Sequence, residues 1–132
     1  MQSILAITIS LLSVLSPVLA VPASAEHPAL VARTPGNVYV CTGSNWQNTC
    51  EVLSLGTSGT CTKLPSAYDG HIGSASPDTG AICRLFANGD CTGSGLAILT
   101  YPGESNLYNY NGGQDAGHAA HYISCRTCTA CT

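Results

Sequence analysis

The sequence predicts an all-β sandwich, and three observations predict it. Short apolar runs alternate with clusters of Gly, Pro, Asn and Ser along the second two-thirds of the chain. No run of about 12 residues carries a helical period. The chain also repeats itself at a shift of 45 residues, with Val38 falling on Cys83, Val40 on Leu85, Cys41 on Phe86 and Trp46 on Cys91. Two copies of that length suit two four-stranded units, each burying one face against the other.

The elements follow in order. Ile4 to Leu19 is uncharged and apolar apart from Ser and Thr. It fits the apolar core of a secretory leader, about 7–15 residues, better than a membrane span of about 20. Pro17 would end its helix, and Ala23-Ser24-Ala25 offers a cleavage pattern with Val18-Leu19-Ala20 as the alternative. No Lys or Arg precedes the run, so only the amino terminus supplies positive charge there. Residues 1–25 are therefore expected to be a signal peptide, with cleavage after 20 as the alternative. Residues 26–37 follow as an arm or propeptide, in which Pro28 and Pro35 discourage regular structure.

Strands are expected at Val38-Tyr39-Val40-Cys41, Cys50 to Leu53, Ala81 to Phe86, Leu96 to Tyr101 and His121 to Cys125. Turns are expected at Gly56 to Gly59, Ser76 to Gly80, Asn88-Gly89-Asp90, Pro102-Gly103 and Asn111 to Gly113. The globular unit is placed at 38–125, with a cysteine-containing tail at 126–132.

All eight cysteines follow the leader: Cys41, Cys50, Cys61, Cys83, Cys91, Cys125, Cys128 and Cys131. An even count in a short secreted chain signals a disulfide framework, although roughly a hundred pairings are open from sequence. The run Cys125-x-x-Cys128-x-x-Cys131, with His118 and His121 upstream, has ligand types that suit zinc or copper. An oxidising compartment favours disulfides instead, so no metal and no cofactor are expected. Cys128 and Cys131 lie beyond the repeat and could pair with each other, with the core or across a dimer. Four Lys and Arg against seven Asp and Glu give a net charge of −3, which argues against nucleic acid and anionic membranes as partners.

The order of these motifs resembles the βγ-crystallin superfamily, in the form of small secreted cysteine-rich fungal proteins. The marks are Val38 to Cys41 before Trp46, the run Ser76 to Phe86, Cys91-Thr92-Gly93, Tyr101 to Leu107, and the closing Tyr122-Ile123-Ser124-Cys125. The resemblance implies two Greek-key motifs packed as a disulfide-stabilised sandwich. Members include lens proteins, calcium-binding microbial proteins, a metalloprotease inhibitor and a killer toxin, so the fold leaves function open. The family's calcium pattern, N/D-N/D-x-x-S/T-S, is degenerate in both copies. Asp69 and Ser74 survive in Asp69-Gly70-His71-Ile72-Gly73-Ser74, and only Asp115 survives in Asp115-Ala116-Gly117-His118-Ala119-Ala120, aligned at a shift of 46.

For catalysis, Asp69, His71 and Ser74 are neighbours in sequence but form no known nucleophile motif. Glu51, Asp78, Asp90 and Glu104 form no obvious carboxylate pair. Trp46 is expected as a core anchor at the tight corner of the first copy. Tyr108 and Tyr110 are the candidate binding surface, because aromatics beside Asn suit recognition loops. The expected function is a secreted, non-enzymatic interaction protein (effector-, toxin- or inhibitor-like) acting on an extracellular protein or a cell-wall or surface target. The alternative is an extracellular structural or stress protein with a weak calcium site.

Overall fold

The structure is a computed structural model describing residues 35–131. The expected signal peptide and most of the arm lie outside the described residues. Seven strands form: β1 (Asn37–Cys41), β2 (Cys50–Ser54), β3 (Thr62–Lys63), β4 (Ser74–Pro77), β5 (Ala81–Phe86), β6 (Ala97–Leu99) and β7 (Tyr122–Thr127). One short helix, α1 (Ala116–Ala119), precedes β7. Every strand pair is antiparallel, in two sheets ordered β2-β1-β4 and β3-β7-β5-β6.

Alternation explains why these segments pack as they do. In β1, Val38 and Val40 face inward and are fully buried, while Tyr39 faces out. Cys83 and Leu85 of β5 and Ile123 and Cys125 of β7 do the same in the second sheet. Leu64, Ile72, Leu99 and Leu107 fill the space between the sheets. Four disulfides bind the chain: Cys41–Cys50, Cys61–Cys91, Cys83–Cys125 and Cys128–Cys131. The C-x-x-C-x-x-C run is thus divided between two disulfides. Among the described residues no cysteine is free, and Cys128 and Cys131 close on each other rather than reaching across a dimer.

The two copies superpose strand by strand. Val38 pairs with Leu53 and Pro77, just as Cys83 pairs with Leu99 and Cys125. Gly73 N–H donates to Cys41 at 2.9 Å, as His121 N–H donates to Phe86 at 2.9 Å. Leu107 N–H then donates to Gly73 at 2.8 Å, as Leu64 N–H donates to His121 at 2.9 Å. Each sheet takes its fourth position from the other copy. β3 joins β7, and Glu104 bridges to Ala75 of β4 through two backbone bonds of 2.9 and 3.0 Å. These are interlocked Greek keys.

Three expectations need revision. β4 covers Ser76 and Pro77, which read as a turn, because β1 has an open edge that this segment fills. β7 continues through Arg126 and Thr127, paired with Ile82 and Ala81, so the sheet takes in the first residues of the expected tail. The shift of 46 between Asp69 and Asp115 is also wrong. Gly73 corresponds to His121, a shift of 48, which sets Asp69 against Gly117. The longer connection after Leu107, which includes α1, absorbs the difference.

Candidate functional site

The outer face of β2-β1-β4 carries an open groove of about 750 Å³. Register builds its floor: Val52, Tyr39 and Ser76 sit side by side across the three strands, with Asn37 one outward step along β1. Trp46 and the segment from Tyr101 to Ser105 rise beside this floor as its two walls. Tyr39, Trp46 and Tyr101 are 40%, 38% and 44% exposed. Of the five large apolar side chains exposed among the described residues, four line this groove. Monomers seldom gather exposed apolar groups in one place without a use for them.

Trp46 is therefore not the core anchor expected of it. It does sit at the tight corner, at a left-handed φ of 61°, but that corner turns the ring outward against Tyr39. The ring centres lie 6.2 Å apart with planes inclined by 27°. The corner is fixed from below and from the side. Buried Ser74 donates its hydroxyl to Gly43 O at 2.8 Å and accepts from Trp46 N–H at 3.1 Å. Asn45 N–H donates to Ser105 O at 2.7 Å, and Ser44 Oγ donates to Asn106 Oδ1 at 3.1 Å. Both walls of the groove are thus tied together by hydrogen bonds.

The Tyr101 wall approaches through Gly103. A Cβ there would lie 2.4 Å from Ala75 O, and φ is +102°. Only glycine lets this backbone lie so close to β4. Glu104 Oε1 then accepts from Asn106 N–H at 3.1 Å. Asp78 completes the lining and is 7% exposed.

The same groove exists on the second sheet with different side chains. Its volume is about 440 Å³, and it is lined by Gly59, Cys61, Ile82, Arg84, Cys91, Ser124 and Arg126 among others. By strand register Arg84 stands for Tyr39, Ile82 for Asn37, Ser124 for Ser76 and Arg126 for Asp78. Cys91, at the position of Trp46, is bonded to Cys61.

The other polar constellations serve the scaffold. Asp69 is hydrogen-bonded to His121 Nδ1 and lies 3.8 Å from Lys63 Nζ. The His121 hydrogen bond holds the Asp69 carboxyl below its usual range, with Lys63 and His71 helping. Asp115 caps α1, accepting from His118 N–H at 3.0 Å and lying 2.8 Å from His118 Nδ1. Those bonds, the backbone one first, lower its carboxyl too. His118 stacks on Tyr108 with ring centres 4.3 Å apart. Among the described residues, no three His, Cys, Asp or Glu side chains gather as a metal site.

Asp69, His71 and Ser74 do not assemble. His71 Nδ1 is 2.9 Å from the backbone oxygen of Asp69, and Ser74 is committed to the Trp46 corner. Tyr108 and Tyr110 have tethering bonds. Tyr108 OH donates to Thr42 O at 2.6 Å, and Tyr110 OH accepts from Ile98 N–H at 3.3 Å. Burial, then Asp115, raises the Tyr108 phenol. Neither tyrosine lines the aromatic groove. Sequence reasoning missed Tyr39 and Tyr101 as surface residues, although Tyr39 between two valines carried the signal of an outward position.

The chain matches no family model, and no curated protein matches it. Among solved structures it is similar to the βγ-crystallin domain of Abundant Perithecial Protein from Neurospora crassa, determined in its Ca2+-bound form. The two share 11% identity at a TM-score of 0.52, over 73% of this chain and 93% of that one. At that identity the likeness is one of fold, and with two interlocked antiparallel sheets and four disulfides the chain has a βγ-crystallin-like fold.

Proposed function

We propose that this is a secreted, non-enzymatic binding protein whose recognition surface is the groove of Tyr39, Trp46 and Tyr101. One observation carries the reading. The second sheet builds the same groove with Arg84 and Cys91 where the first has Tyr39 and Trp46, so the fold does not need aromatics at those two positions. Exposed rings that the fold can do without, held by a preset hydrogen-bond frame, suit recognition. An effector-, toxin- or inhibitor-like role on an extracellular protein or cell-wall target follows from that surface. The disulfides fit an extracellular address, and no helix among the described residues is long and apolar enough to cross a membrane.

Retention on insoluble cell-wall and extracellular-matrix fractions tests this. Wild type should be retained, and Tyr39→Arg should pass through with melting unchanged, because Arg84 already occupies the equivalent position. Equal retention of the variant would show that the groove is not the surface.

The alternative is an extracellular structural or stress role with a weak calcium site. The Ca2+-bound state of the Neurospora domain favours it. Against it, Asp69 and Asp115 already spend oxygens on histidines. Calcium titration by calorimetry with no heat would remove this alternative.

A further inference from the structure

We infer that the aromatic groove takes an uncharged saccharide chain. This rests on the groove being the recognition surface and names its ligand class. Charge sets the first limit. The lining carries Asp78 and Glu104 and no Lys, Arg or His, so phosphates, uronates and other anions meet repulsion. A cationic ligand fits less well than a neutral one. Asp78 is almost wholly buried, and Glu104 spends one oxygen on Asn106 N–H, so neither is a bare counter-charge. Cation recognition also favours rings that enclose a point charge from several sides. Tyr39 and Trp46 instead stack on one another, with ring centres 6.2 Å apart and planes inclined by 27°, and do not surround a central point.

A pyranose ring offers the complement. Its C–H face is flat and apolar and suits an aromatic plane, and its rim of hydroxyls needs short donors and acceptors at the edge. Asn37, Ser76 and Ser105 supply both donors and acceptors along the groove, and the second oxygen of Glu104 adds an acceptor. The groove is open and of a volume that admits a short oligomer. The frame through Ser74 and Ser105 holds the Trp46 corner against the neighbouring wall before any ligand arrives. That limits the ordering cost of binding.

Trp46 is the only tryptophan of the chain, so its emission reports on the groove. The probes are short β-glucan oligomers, N-acetylglucosamine oligomers, a galacturonate oligomer and an Arg/Lys-rich peptide. The expected result is a saturable emission change with one of the two uncharged series, which also identifies the sugar. Its affinity should hold within about twofold between about 50 and 500 mM salt. Tyr101→Ala should weaken it about tenfold or more, and Arg84→Ala in the other groove should leave it unchanged. Tyr101 is exposed, so its truncation should spare the fold, which thermal melting verifies. A response confined to the Arg/Lys peptide and weakened by salt would overturn the saccharide class and leave the groove as the binding surface. A response confined to galacturonate, or to no probe, would likewise overturn it. Tyr101→Ala binding as wild type would overturn the groove reading itself.

Discussion

The two copies share one backbone plan and differ in how they spend their outward and inward side chains. In the first, β1 buries Val38 where β5 buries Cys83, and β4 offers Pro77 where β7 offers Cys125. In the first, the corner carries an exposed indole. In the second, the corner carries a disulfide to Cys61. The outward row is aromatic and acidic on one sheet, but holds two arginines against one aspartate on the other. The first copy's own staple, Cys41–Cys50, closes the strand ends at the base of its corner and leaves the aromatic ring displayed at the tip. The difference separates what the fold requires, a packed inner face, from what the outer face can vary.

The largest test of that separation removes the staple inside the second copy. Cys83 and Cys125 are 0% and 2% exposed, and their bond closes 42 residues. Cys83→Val with Cys125→Val should cost about 2–5 kcal/mol in denaturant unfolding. The equivalent first-copy pair manages without sulfur, so a loss near zero would mean that packing alone holds both. A smaller effect is expected at the close approach that forms the groove wall. Gly103→Ala should cost roughly 1–3 kcal/mol, since both the left-handed φ and the contact with Ala75 O resist a methyl group. Unchanged melting would mean that this wall yields freely.

The smallest effect concerns pH. Asp69 and Asp115 both have lowered carboxyl pKa values, so their contribution to stability is complete above the ordinary carboxylate range. It is lost as pH falls through that range toward the lower folded values. Asp69→Asn should flatten the acid limb of a stability-against-pH curve below about pH 4. An unaltered limb would show that the His121 contact carries no linkage.

Much of the fold was legible and much of the site was not, for separable reasons. Val38 to Cys41 and Ala81 to Phe86 declare themselves because one of their faces is buried along their length. Thr62–Lys63 and Ser74–Pro77 are strands only because β7 and β1 have edges to fill, and nothing local in them says so. The repeat exposed the pairing of copies but slipped by two residues near β7, where α1 lengthens the second connection. The groove draws on β1, a corner and the segment after β6, so its residues meet only in three dimensions. Tyr108 and Tyr110 looked like a surface by composition, yet their hydroxyls reach backbone groups 66 and 12 residues away in the chain.

The exchange of edge positions between the copies bears on survival under proteolysis. Thr79, in the link between the halves, is exposed and is the natural place for a nick. A cut there would release neither piece. β3 would stay paired within the other half's sheet, Glu104 would stay on β4, and Cys61–Cys91 would still join the two fragments covalently. The groove, whose walls come from both fragments, would keep both of them in one particle.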